Sequence, residues 1–301
     1  MKIVVFGGSG FLGSHVADEL TVRGHDVKIF DKAVSPYLQE CQEMIIADVL
    51  DRSAVQNAVE GADIVYNFIA LSDLEQARYS PTDTVKVNVL GNVNILESAL
   101  EAKVKRFIFS SSIYVYSDAG SFYRSSKQAC ELFIENYYKV HALDYTILRY
   151  GSLYGPRADE RNWLYKALKQ ALREKKITRH GDGEEIREYI HVQDAARLSV
   201  DILEEKYKNR CMIITGNQQV KIKDMLMMIK EMLKGEVELE YVKTANNEHY
   251  EITPYVFKPQ IATKLHSSES LDMGQGILHI LNDLYQEVSR ELKAEKSTSH
   301  D

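Results

Sequence analysis

Tyr123 and Lys127 stand four apart in the run Tyr123-Arg124-Ser125-Ser126-Lys127. On a helix that spacing puts both side chains on one face, a single turn apart. A free phenol, with a pKa of about 10, is a poor base at neutral pH. An ammonium beside it favours the phenolate and is expected to lower that value. The plainer alternative is two surface residues on a helix, in a chain with 18 tyrosines. Ser110-Ser111-Ser112 adds a third group, because it directly follows the strand-like run Arg106–Phe109. A serine placed there can hydrogen-bond the same substrate oxygen that the tyrosine deprotonates, a set suited to removing a hydroxyl proton.

Such a set needs a scaffold, and the N-terminal run Val4-Val5-Phe6-Gly7-Gly8-Ser9-Gly10-Phe11-Leu12-Gly13 supplies its first part. Lys2 to Phe6 reads as a short buried strand and Phe11 to Arg23 as a helix, with Gly7, Gly10 and Gly13 between and within them. Strand, glycine turn and helix start bring free backbone N–H groups and a positive dipole end to one point, which suits a pyrophosphate. The next strand, His25 to Asp31, ends in a carboxylate. Asp31 there can accept from the ribose hydroxyls of a dinucleotide and repel a 2′-phosphate, so NAD is expected over NADP. Lys32 follows at once and softens that repulsion. A solvated aspartate at a strand end is the bland alternative.

Strand signals at Lys2–Phe6, Val27–Asp31, Glu43–Ile46, Ile64–Phe68, Arg106–Ser110 and Tyr145–Tyr150 alternate with amphipathic stretches near 11–23, 51–60, 81–102 and 124–142. This alternation predicts an α/β fold, a Rossmann-type doubly wound parallel sheet covered on both faces. After residue 150 the pattern loosens around Gly155-Pro156-Arg157 and Gly181-Asp182-Gly183. The expected organisation is a dinucleotide-binding domain over 1–150, a smaller, partly interleaved C-terminal substrate-binding lobe over 151–292, and a disordered polar tail over 293–301.

The chain has 301 residues, a net charge of −7, three cysteines and nine histidines. Net negative charge argues against a nucleic-acid surface. No apolar stretch approaches the ~20 residues that span a bilayer, so no membrane partner is expected. Cys41, Cys130 and Cys211 lack metal or redox spacing, the histidines are scattered, and no metal site is predicted. Met1-Lys2 leads straight into a strand, so no leader and a cytoplasmic location are expected.

Glycine turn, Asp31, Asp48-Val49, Asn88, the serine run, Tyr123 and Lys127 occur in an order that resembles the extended short-chain dehydrogenase/reductases. Within them the chain is most similar to the nucleotide-sugar epimerases and dehydratases. The segments that carry the resemblance are Lys86–Asn92, Ser110–Tyr116, Leu148–Arg157 and Arg187–Asp194. It covers the first 200 residues or so well and the remainder thinly. The resemblance implies that Phe11 and Leu12 lie beside the pyrophosphate, that Asp48 and Val49 hold the adenine, and that Phe68, Ile69 and Ala70 line the nicotinamide side. It places Asn88 in the cofactor set along with Tyr123 and Lys127. It makes Ser112, Tyr123 and Lys127 the catalytic set, and puts Ser111, Ser112, Ser152, Arg157 and Arg187 at the substrate. There Arg187 would grip the diphosphate of a nucleotide sugar, as a guanidinium suits that anion, while His191 packs as a structural residue. Relatives pair as homodimers through the helices that here would be 81–102, with Val85, Val89 and Leu96, and 124–142, with Leu132 and Tyr138.

Three departures from the family pattern stand out. Ser152 replaces an asparagine common among relatives. The loop between Tyr116 and Tyr123 is very short. Ile113 and Tyr114 stand where the 4,6-dehydratases have an Asp-Glu pair and the decarboxylases a glutamate, and those chemistries need an extra acid or base beside the hexose. The expected function is an NAD-dependent nucleotide-sugar epimerase acting at C4. A dehydratase or keto-sugar oxidoreductase of the same family is the alternative, and a non-catalytic dinucleotide sensor a third reading, against which the intact Tyr/Lys pair counts.

Overall fold

In a parallel sheet covered on both faces, strands have no solvent side, so they read as continuous apolar runs. Lys2–Phe6 (β1) and Ile64–Asn67 (β4) are of this kind, every residue after Lys2 being buried. In the computed structural model, which describes residues 1–242, 262–265 and 269–298, they lie side by side in an eight-stranded parallel sheet. The other strands are Asp26–Asp31 (β2), Glu43–Ile46 (β3), Arg106–Ser112 (β5), Tyr145–Tyr150 (β6), Arg210–Ile214 and Ala262–Lys264. Across the sheet the order is Ala262–Lys264, Arg210–Ile214, β6, β5, β4, β1, β2, β3. Strand order reverses between β1 and β4, and in open parallel sheets ligands sit at the carboxyl ends beside such a reversal.

Helix Phe11–Val22 follows β1, and Arg52–Val59 is capped by Asp51, whose carboxylate accepts from Ala54 N–H at 3.1 Å. The stretch expected as one helix over 81–102 is a helical run with a change of pitch inside it. Pro81–Thr84 passes into a π-turn over Val85–Leu90 and then into Gly91–Glu101. The helix Ser121–His141 begins three residues earlier than expected and so takes Tyr123 into its first turn. Phe107, Phe109, Ile147, Cys130 and Ile134 belong to one apolar cluster between the sheet and its covering helices.

The chain forms two compact units, and neither is contiguous in sequence. The first comprises Met1–Gly151 and Ala195–Thr215 together with Ala262–Lys264. The second comprises Ser152–Asp194 and, among the later described residues, 216–242 and 269–298. It holds three short strand pairs, Ser152–Tyr154 with Tyr189–His191, Ile186–Arg187 with Val220–Lys221, and Lys176–His180 with Glu238–Val242. Helices Trp163–Glu174, Ile222–Met232 and Met273–Thr298 close its core around Leu168, Leu226, Ile229 and Ile277.

The expected tail over 293–301 is corrected as far as Thr298, because the last helix runs through it. Lys293-Ala294-Glu295-Lys296 are strong helix formers, and polarity alone does not end a helix. Residues 299–301 lie outside the described residues. None of the helices among the described residues is long and apolar enough to cross a membrane.

Candidate active site

The turn after β1 needs its glycines. Gly7 has φ +80°, and a Cβ there would stand 2.9 Å from the backbone N of Ile69. At Gly13 an added Cβ would stand 2.2 Å from the carbonyl oxygen of Gly7, so the helix can approach the turn only without a side chain. Gly10 caps the helix Phe11–Val22, whose first turn carries no acidic residue to offset its positive end. The added carbon at Gly10 meets only the Gly7 carbonyl, at 3.3 Å. Asp31 is fixed beside this turn: Ser9 N–H donates to its Oδ2 at 3.1 Å and Ala33 N–H to its Oδ1 at 3.3 Å. Both oxygens keep lone pairs for a further donor. Lys32, next to it, is exposed. A glycine cradle, an uncompensated helix N-terminus and a held carboxylate fit the pyrophosphate and ribose of a dinucleotide.

Phe68, Ile69 and Ala70 leave the end of β4 half-buried. The Phe68 ring stacks on Tyr66 at 5.9 Å, and Ile69 N–H donates to Asn67 Oδ1 at 3.0 Å. Asp48 is exposed and turns back on Leu50 N–H at 2.9 Å, while Val49 is buried against Gly91. Asn88, expected among the cofactor contacts, also has hydrogen bonds within the protein. Its Oδ1 accepts from Leu71 N–H at 2.7 Å, and its Nδ2 donates to Leu71 O at 3.3 Å and to Ser126 Oγ at 2.9 Å. From inside the π-turn it ties the loop after β4 to the helix bearing Tyr123.

β5 extends to Ser112, two residues beyond its expected end, which sets the serine hydroxyl near enough to the Tyr123 phenol to oppose the effect of burial on it. Lys127 Nζ donates to the Ser110 carbonyl at 2.6 Å and lies 5.7 Å from the centre of the Tyr123 ring. The structure therefore brings Ser112, Tyr123 and Lys127 together. The ammonium by itself, however, does not lower the phenol. Burial pushes the Tyr123 phenol up to about 12, with the Ser112 hydroxyl pulling the other way. Burial pulls Lys127 down to about 8. The protein alone does not activate the phenol, because its surroundings disfavour both charges.

Ser111, expected at the substrate, is corrected outright. Side chains alternate along a strand, so Ser111 shares the face of Phe107 and Phe109 and lies under the helix Ser121–His141. It is buried and its Oγ donates to Glu131 Oε1 at 2.5 Å. Arg149, its register partner on β6, forks onto the same carboxylate through Nε at 3.0 Å and Nη2 at 2.5 Å, and its Nη1 donates to the Tyr116 hydroxyl. Sequence reading missed this buried pair. The signal available was a charged residue in each of two otherwise apolar patterns, Ile147-Leu148-Arg149-Tyr150 and Cys130-Glu131-Leu132.

Ser152, Arg157 and Arg187 fall in the second unit. Ser152 pairs in register with Tyr189, Arg157 takes φ +65° after Gly155-Pro156, and Arg187 is buried with its Nη1 donating to Ile186 O at 3.1 Å. His191 is buried edge-on to Tyr154 at 5.3 Å, as a packing residue.

Residues 3–214 match the NAD dependent epimerase/dehydratase family. The chain belongs to that family. A UDP-N-acetyl-alpha-D-glucosaminuronate decarboxylase of Bacillus cytotoxicus is 27% identical over 267 residues, covering 80% of this chain and 83% of the relative. A putative UDP-glucose 4-epimerase of Methanocaldococcus jannaschii is 26% identical over 301 residues, covering 93% and 97%. Among solved structures, the UDP-glucose 4-epimerase of Thermotoga maritima with UDP-glucose superimposes with a TM-score of 0.83 at 22% identity, over 96% of this chain and 99% of the other. The UDP-glucuronic acid 4-epimerase of Bacillus cereus, in complex with UDP-glucuronic acid and NAD, gives 0.82 at 23% identity, over 95% and 99%. At that identity the likeness is one of fold.

Proposed function

We propose that this protein is an NAD-dependent nucleotide-sugar epimerase acting at C4 of the sugar. The observation that carries the reading is the placing of Ser112 beside the Tyr123 phenol with Lys127 one helical turn away, next to two residues, Ile113 and Tyr114, that offer no carboxylate. Ile113 is buried, and the Tyr114 ring stands edge-on to Tyr123 with centres 6.4 Å apart. Elimination or decarboxylation calls for an acid or base beside the hexose beyond the tyrosine. Inverting a carbinol centre through a ketone does not.

In this reading Tyr123, as phenolate, takes the proton of the C4 hydroxyl, and Ser112 Oγ hydrogen-bonds the same oxygen. Bound there, NAD would supply the redox step that the protein itself cannot, as a reversible acceptor of the C4 hydride. Gly7, Gly10, Phe11, Leu12, Gly13 and Asp31 hold the dinucleotide, and its positive ring together with the Lys127 ammonium makes up the charge that burial denies the phenolate. Asp48, Val49 and Phe68–Ala70 complete the cofactor contacts. Once the sugar has turned over, Tyr123 would give the proton back to the C4 oxygen. Arg187 takes the diphosphate, assisted by Arg157 and Ser152, and the diphosphate sugar is the small-molecule partner.

The same reading includes a cytoplasmic homodimer. Val85 and Leu132 are each more than half exposed, and Leu90, Phe133 and Tyr138 join them on the two helical runs proposed to pair. Leu96 drops out of that stripe, because it is fully buried in the core of its own unit.

Purified protein incubated with a panel of nucleotide sugars, with products resolved by NMR, tests the proposal. The expected result is a 4-epimer formed without added cofactor once NAD is bound and without NADH release. A 4-keto-6-deoxy sugar, a decarboxylated sugar or stoichiometric NADH would each overturn it in favour of another reaction of the family.

A further inference from the structure

The helix Ser121–His141 turns an unusual stripe toward the segment that carries Ser112. Arg124, Lys127, Gln128 and Glu131, at i, i+3, i+4 and i+7, share one face, and each grips that segment at a different point. Arg124 Nη1 donates to Ser117 O at 2.7 Å, Lys127 Nζ to Ser110 O at 2.6 Å and Gln128 Nε2 to Val115 O at 2.9 Å, while Glu131 accepts from Ser111 Oγ at 2.5 Å. Four polar side chains thus fasten the end of β5 and the turn Ile113–Tyr116 on both sides of Ser112. A helix lying on a sheet ordinarily presents aliphatic residues at these places.

Glu131 is the one acidic residue of the four, and it is paired with Arg149. Its side chain and that of Arg149 are 6% and 2% exposed. Replacing a buried pair of this kind by apolar residues of similar volume is often neutral or stabilising, so its presence is weak evidence for a stability role. What the pair does achieve is geometric. Through Glu131 it holds Ser111, the residue before Ser112. Through Arg149 Nη1 it holds Tyr116, the last residue of the turn after Ser112. The guanidinium fork fixes the carboxylate in one orientation, since two parallel bonds leave it no rotation.

We infer that Glu131 and Arg149 are positioning residues for the active site, holding Ser112 against Tyr123 by clasping the strand end from both sides. The inference rests on the reading of Ser112 and Tyr123 as the proton-handling pair. Displacement of a reacting group by about 1 Å can cost on the order of 10²-fold in rate. Against the stronger downward pull of burial, Cys130 and then the Glu131 carboxylate raise Lys127, so the clasp and the lysine are electrically linked.

Two variants test it. Ser111→Ala cuts one link and leaves every charge in place, and the double variant Glu131→Leu/Arg149→Met removes the pair while keeping the volume apolar. With UDP-glucose as the probe substrate, kcat is expected to fall roughly tenfold in the first and on the order of 10²-fold in the second, with KM close to that of the wild type. NMR of lysine-labelled protein, with Lys127 assigned through Lys127→Arg, should show its titration midpoint move down from about 8 in the double variant. An unchanged kcat or an unchanged midpoint in the folded double variant overturns the inference. If the double variant does not fold, Ser111→Ala decides, and wild-type kcat there refutes it. Lack of turnover by the wild type on UDP-glucose speaks against that substrate, and lack of it across the whole panel against the epimerase reading. The Lys127 midpoint then decides the clasp without any activity.

Discussion

Lys127 donates to the carbonyl oxygen of Ser110 at 2.6 Å, so the lysine is anchored to the strand that ends in Ser112 as well as standing one helical turn from Tyr123. One ammonium thereby couples the helix that carries the base to the strand that carries the serine beside it. Substituting it disturbs both, which makes Tyr123 the cleaner probe of the chemistry.

Tyr123→Phe should lose roughly 10²–10⁴-fold in kcat, the usual worth of a positioned base, and bind NAD as the wild type does. Stopped-flow turnover beside calorimetric titration with NAD checks both halves. A variant that keeps more than a tenth of wild-type kcat would remove the phenol from the mechanism.

Stability should carry the signature of the buried lysine. Burial pulls its folded-state pKa down to about 8 from the ordinary lysine value of 10.5. Between those values the unfolded chain holds the proton and the folded chain does not, so folding stability gains as pH rises through that window. Below it both states are charged and the cost of burying the charge is fully present. The wild-type Tm minus the Lys127→Met Tm should therefore increase from pH 7 to pH 10, followed by differential scanning fluorimetry. A flat or falling difference contradicts the assignment.

Binding should favour NAD(H) over NADP(H), because the Asp31 carboxylate meets a 2′-phosphate with like charge. Asp31→Asn keeps an oxygen acceptor for the Ser9 or Ala33 amide and removes only the charge, so it should narrow the preference without unfolding the glycine turn. Fluorescence titration of both reduced cofactors measures it, and equal affinities in the wild type would mean that Lys32 outweighs the carboxylate.

Gly13→Ala should abolish dinucleotide binding, since the methyl would stand 2.2 Å from the Gly7 carbonyl and force helix and turn apart. Gly24→Ala provides a contrasting control: its φ of +78° strains the backbone, but no atom stands within 4 Å of the added carbon. It should cost about 1 kcal/mol of stability and leave NAD affinity alone.

A homodimer mass is expected by light scattering at micromolar concentration, and Leu132→Glu should shift it toward the monomer. The wild type running as a monomer would sink the pairing of the two helical faces.

The sheet was readable because a buried parallel strand leaves an apolar run, and β1 to β6 lie within a residue or two of the predicted spans. The glycine turn and the Tyr/Lys spacing were readable because they rest on local geometry. Glu131 and Arg149 were not, since a charged residue in a periodic pattern reads as a solvated position until its partner from another element is known. The π-turn around Asn88 leaves no mark in the sequence, as its residues also suit an α-helix. Strands Ser152–Tyr154 and Val220–Lys221 of the second unit escaped for a third reason: two or three residues are too few to show alternation, and their partners lie tens of residues away.

The place of Arg210–Ile214 beside β6 has a consequence for how the chain is made. A ribosome that has released residues up to 151 has delivered six strands of the first unit, yet β6 then ends the sheet with its outer edge bare. That edge, Tyr145-Thr146-Ile147-Leu148-Arg149-Tyr150, is long and mostly apolar, the kind of template on which nascent chains associate. It stays open until about sixty further residues have been synthesised, and they include much of the second unit. Truncation at the apparent domain boundary would freeze the protein in that exposed stage, and fragments meant to fold alone must carry the strand up to Ile214.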